Sequence, residues 1–105
     1  MDKLEHALRV IHPNWQPIIK KNISELHKAL SHVIEDVPIE QLAPDIENVF
    51  TAFRIDPKGI KVIIIGQDPY PGCDPKSKQK YANGMSFSTN AKATPASLKN
   101  IFSCL

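Results

Sequence analysis

The residues best suited to chemistry sit in one short stretch, Gln67-Asp68-Pro69-Tyr70-Pro71-Gly72. It places an acid and an aromatic on a backbone stiffened by two prolines. A rigid loop holds a reactive carboxylate in one place better than a floppy one. The competing reading is that Asp68-Pro69 only starts a turn. Other chemistries find no support. Neither a Walker pattern nor G-x-G-x-x-G occurs, and no Ser/His pair has recognisable context. A two-carboxylate glycosidase would need a partner for Asp68, and only Asp74 is near, in a stretch expected to be flexible. Lys76, Lys78 and Lys80 beside Tyr81 form a small basic cluster. It reads as a solvated loop, with phosphate contact as the alternative.

The loop must be carried by what precedes it. Lys61-Val62-Ile63-Ile64-Ile65 has four β-branched residues in a row. Such an uninterrupted run predicts a central parallel strand covered on both faces, ended by Gly66. In open α/β sheets ligands bind beyond the carboxyl ends of the strands, which is where Asp68 falls. Upstream, residues 1–12 show helical spacing at Leu4, Leu8 and Ile11, stopped by Pro13. Pro17 then opens the clearest helix, with Ile19, Ile23, Leu26, Leu30, Val33 and Ile34 on one face. Its His27 and His32 are too far apart around the wheel to pair on a metal. Trp15 reads as a packing residue. Asp45 is placed to cap a short helix over Ile46–Phe53. Asp56-Pro57-Lys58-Gly59 is a turn. Downstream, Gly84–Ser88 reads as a short extended piece, and Thr94-Pro95-Ala96-Ser97 leads into an amphipathic helix.

With 105 residues, the chain is one domain or part of one. Its 42% hydrophobic and 23% charged residues mark a globular class. A net charge of +2 is too small to announce a nucleic-acid partner by itself. Cys73 and Cys104 are expected as free thiols, with no zinc spacing. The N-terminus lacks the build of a signal peptide, and a cytoplasmic setting is the expectation, with nuclear or viral contexts open. Only one convincing strand is present, and the last helix stops one or two turns in. Both features predict a fold incomplete in this chain, with residues 1–60 mainly helical and residues 61–105 holding strand, loop and final helix.

The segment Val62-Ile63-Ile64-Ile65-Gly66-Gln67-Asp68-Pro69-Tyr70 resembles the water-activating motif of family 1 uracil-DNA glycosylases. Gly84-Met85-Ser86-Phe87-Ser88 is similar to that family's uracil-stacking segment. Thr94-Pro95-Ala96-Ser97-Leu98-Lys99-Asn100-Ile101 resembles its DNA-compressing loop and the helix after it. The order matches too, with Ile46-Glu47-Asn48-Val49-Phe50 upstream. The resemblance implies the N-terminal half of a three-layer α/β/α fold with a central parallel sheet. It implies base excision on uracil-containing DNA without metal or cofactor. Asp68 would orient water and balance charge on the sugar. Gln67 and Asp68 would offer backbone N–H groups to a uracil carbonyl. Tyr70 would exclude thymine's methyl group, Phe87 would stack on the flipped ring, and Ser97 with the backbone at Pro95 would grip phosphates.

The chain also departs from the family. Pro71 stands where the motif usually has histidine. The loop over residues 71–83 is longer than usual, and the proline-rich loop is thinned to Pro95. The asparagine that reads uracil's polar edge, the His-Pro-Ser loop and the leucine wedge have no matching position. His12-Pro13-Asn14 precedes the strand and is no substitute. A chain of this kind is expected to expose a half-core and to take a complementary chain or a second copy. The alternative is a non-catalytic relative that binds DNA or protein. A hydrolase of another class using Asp68 is a distant third.

Overall fold

The computed structural model describes the backbone of residues 2–105 and the side chains from residue 5 onward. Met1 and the side chain of Leu4, part of the expected first helical stripe, lie outside the described residues. Among the described residues there are four α-helices: α1 (Asp2–Arg9), α2 (Gln16–Lys21), α3 (Ile23–Asp36) and α4 (Ala96–Ser103). Short 3-10 turns link α1 to α2 and fill the stretch from Ile39 to Gly59. None of these helices is long and apolar enough to cross a membrane.

The core forms where the first three helices meet the turns over residues 46–54. Ala7, Ile11 and Phe50 are its buried centre, with Leu8, Trp15, Ile19, Leu26, Leu30, Val49 and Phe53 packed around them. The Trp15 indole meets the Phe53 ring edge-on, with centroids 4.9 Å apart. Its Nε1–H donates to the Ile55 carbonyl at 2.8 Å, so both the apolar body and the polar tip are satisfied. The His12 backbone N–H donates to the Phe53 carbonyl at 2.8 Å. Asn14 Nδ2 donates to Asp56 Oδ1 at 2.9 Å. These bonds lace the first helical segment onto the turns that lead to the loop.

The sequence predicts one helix from Pro17; the chain forms two, broken at Asn22. That residue leaves the helical region at φ −110°, ψ 13°. Its side chain donates to the Ile18 carbonyl at 2.9 Å, a local bond that competes with the backbone ladder. Of the predicted apolar face, Leu26 and Leu30 join the core, while Ile23, Val33 and Ile34 stay exposed. The predicted helix over Ile46–Phe53 is instead two 3-10 turns, Ile46–Asn48 and Thr51–Arg54. Asp45 makes no capping bond there. Its carboxylate pairs with Lys80 Nζ at 2.8 Å. The capping role loses to a full charge that reaches the same oxygen.

The largest correction concerns Lys61–Ile65. The segment is unpaired and forms no strand, and the predicted central sheet is absent among the described residues. Val62, Ile63, Ile64 and Ile65 are 77%, 70%, 59% and 90% exposed. β-branched residues favour extended backbone, but a strand exists only when a neighbour takes its hydrogen bonds. The only β pairing described is two isolated antiparallel bridges, Cys73 with Lys80 and Ala82 with Thr89. Cys73 and Cys104 are free and exposed.

Candidate active site

Segments distant in sequence close around one cavity of about 640 Å³. Gly66–Tyr70 forms one wall and residues 82–88 form another. Leu30, Val33 and Ile34 of α3, with Ile46 and Val49, give it an apolar floor. Ser97 enters from the first turn of α4.

The two walls are tied together. The Gly66 backbone N–H donates to Ser86 Oγ at 3.3 Å. Within the second wall, Asn83 Nδ2 donates to Ser88 Oγ at 2.7 Å and Asn83 Oδ1 accepts from the Met85 N–H at 3.2 Å. The Ser88 N–H closes the turn on the Met85 carbonyl at 3.1 Å. Gly84 sits at φ +92°, and a Cβ there would fall 1.9 Å from the Asn48 carbonyl oxygen. Only glycine fits between this wall and the turn beneath it. Residues 84–88 are therefore a turn and not the extended piece predicted. Phe87 itself lies at φ +62°. A phenylalanine in the left-handed region is strained, and its surroundings must hold it there.

Most of the predicted site residues meet in this cavity. Gln67, Asp68, Tyr70, Phe87 and Ser97 all line it. Gln67 and Asp68 are exposed, while Tyr70 and Phe87 are half-buried. Tyr70 Oη and Ser97 Oγ are hydrogen-bonded at 2.9 Å across 27 positions of sequence. Pro95 does not line the cavity; it precedes α4, and its carbonyl accepts from the Lys99 N–H at 3.0 Å. Asp68 is the acid among the lining residues. Asp74 is not a second one. Its Oδ2 accepts from the Ser77 N–H at 2.8 Å and the Lys76 N–H at 3.1 Å. These bonds, with those to Ser77 the largest influence, hold its carboxyl below the ordinary value. The stretch expected to be flexible is thus a defined turn.

The lysines separate in role. Lys80 pairs with Asp45 and also donates to the Leu42 carbonyl, with its side chain only 16% exposed. Lys76 and Lys78 are exposed. Sequence reasoning missed Asn83, Ser86 and Ser88 as the polar frame of the second wall. The Asn83-Gly84 pair was the available signal, since it favours a turn over a strand. Among the described residues, no three His, Cys, Asp or Glu side chains converge as a metal site would require.

The cavity lining includes two aromatic side chains and one acid. There is a ring in Phe87, a phenol edge in Tyr70 and a carboxylate at the rim. The uracil-DNA glycosylase of Alkaliphilus metalliredigens is 34% identical over 99 residues, covering 90% of this chain and 41% of that relative. That of Lactobacillus helveticus is 42% identical over 105 residues, with 91% and 40% covered. That of Corynebacterium glutamicum is 36% identical over 94 residues, with 88% and 33% covered. The chain thus spans about two fifths or less of the length of these relatives. No protein-family model matches the chain. No solved structure matches it either.

Proposed function

Because the chain belongs to the uracil-DNA glycosylase family and matches only the smaller part of each relative, we propose that it carries the water-activating half of a base-excision site. The observation that carries this reading is the meeting of Gln67, Asp68, Tyr70, Phe87 and Ser97 around one cavity. The substrate is uracil in DNA. The reaction breaks the bond between uracil N1 and deoxyribose C1′. Water adds its oxygen to C1′ and releases a proton to solvent, while uracil departs with the bonding electron pair as an anion that takes up a proton from solvent.

Each residue has a role that its position supports. Asp68, exposed at the rim, orients the water and balances the positive charge that grows on the sugar. The backbone N–H groups of Gln67 and Asp68 meet a uracil carbonyl oxygen. Tyr70 occupies the space that a 5-methyl group would need, which is discrimination by exclusion. Phe87 stacks on the extruded base, and its strained backbone aims the ring. Ser97 donates to a DNA phosphate, with the backbone at Pro95 beside it.

The groups that read uracil's polar edge and stabilise the leaving anion in such enzymes have no matching position within residues 1–105. The rate of the chain alone is therefore expected to be low. The Val62–Ile65 segment stands bare among the described residues. It becomes the central strand of a parallel sheet when the rest of such a fold, on this chain or on another, supplies the neighbours. Uracil release from a uracil-containing single strand tests the reading, measured with the chain alone and with the remaining part of a bacterial relative added. Release should appear with the complement and disappear in Asp68→Asn. No release in the mixture, or release indifferent to Asp68→Asn, would sink it.

A further inference from the structure

The Tyr70–Ser97 hydrogen bond joins two residues whose proposed tasks are separate, one at the base and one at the backbone of DNA. Ser97 lies in the first turn of α4 and is exposed, so a phosphate can reach its hydroxyl. Tyr70 is half-buried, with its ring against the cavity. Its hydroxyl finds a side-chain partner in Ser97, at 2.9 Å.

We propose that Ser97 is a specificity-positioning residue: through its hydroxyl, engagement of a DNA phosphate fixes the Tyr70 ring that excludes a 5-methylated base. The proposal rests on the glycosylase reading and deepens it. Its logic is the count of protons. A serine hydroxyl has one proton to give and two lone pairs to accept with; a phenol has one proton to give. In the free chain either oxygen can donate to the other. Phosphate oxygens only accept. Once Ser97 gives its proton to a phosphate, Tyr70 must donate to Ser97. The pair then runs in one direction, phenol to serine to phosphate, and each bond polarises and strengthens the next. The phenol is pulled toward α4, and the ring loses freedom to swing aside for a methyl group. The backbone contact and the base contact are one device.

A serine that only grips phosphate predicts something different. Its loss would weaken every strand equally and leave the preference for uracil over thymine untouched. The test is equilibrium binding of this chain to two short single strands, identical but for one central uracil or thymine. Ser97→Ala should weaken both and also lower the uracil-over-thymine ratio by about five-fold, the size of one neutral hydrogen bond. Tyr70→Phe, which keeps the ring, should lower the ratio similarly. The double variant should lower it no further, since either change cuts the same link. Ser97→Thr keeps the hydroxyl and should restore the ratio. Far-UV circular dichroism of each variant checks that α4 persists. A ratio unchanged in Ser97→Ala, or additive losses in the double variant, would overturn the coupling while leaving the glycosylase reading intact. A parent chain with no preference for uracil would overturn both.

Discussion

Asp56 shows how a carboxylate outside the cavity is committed to structure. It accepts from Asn14 Nδ2 and from the Lys58 N–H. The Asn14 bond is the first cause and the Lys58 bond the second of a carboxyl held below its ordinary value. The folded chain therefore favours the ionised form. The resulting stabilisation is present above the ordinary carboxylate value and is lost as pH falls through the folded-state value. Asp56→Asn should lower the urea midpoint at neutral pH, and the gap to the parent chain should close on acidification. A gap that stayed constant with pH would show that charge at Asp56 is irrelevant. At the same scale, Asp68 and Tyr70 were legible because their stretch has few ways to be anything but a loop. Phe87 was legible as a ring but not as a strained residue, because no local pattern announces a phenylalanine at φ +62°.

Gly84 and Lys80 set the placement of whole segments. Gly84 combines φ +92° with a backbone oxygen 1.9 Å from where a Cβ would stand. Gly84→Ala must distort both the 83–88 turn and the Asn48–Thr51 turn. A loss of about 3 kcal/mol or more is expected in urea unfolding, together with loss of binding at the cavity. Lys80 pins the loop over residues 71–83 to Asp45 and to the Leu42 carbonyl. Lys80→Ala should cost about 1–2 kcal/mol, part of it sensitive to salt. Lys76→Ala should cost nothing measurable, since that side chain is exposed. The three lysines look alike in sequence, and only the fold separates them. The split of the long helix at Asn22 is a similar case. Apolar spacing continues straight through it, so periodicity alone could not find the break.

For the whole molecule, the dominant feature is apolar surface without cover. Val62 to Ile65 stand exposed. A run of this kind invites a neighbouring chain. Concentration-dependent association is expected in sedimentation, and Ile63→Lys should reduce it without lowering the unfolding midpoint, because Ile63 is 70% exposed already. A monomer at every concentration would show that copies of this chain do not supply the cover. Sequence by itself determined that Gln67–Gly72 is a loop and that the chain resembles one enzyme family; which distant residues meet across the cavity was decided by the fold. The loop and the resemblance depend on local chemistry: prolines that stiffen, a glycine that ends a run, an acid beside an aromatic. It also determined that Val62 to Ile65 favour extended backbone. Whether that stretch is a strand belongs to tertiary structure, because a strand is made by its neighbours. Tertiary structure likewise decided that Asp45 binds Lys80 instead of capping a helix, and that Tyr70 and Ser97 share one hydrogen bond. Both depend on groups far apart in the chain arriving at the same place, which no local pattern encodes.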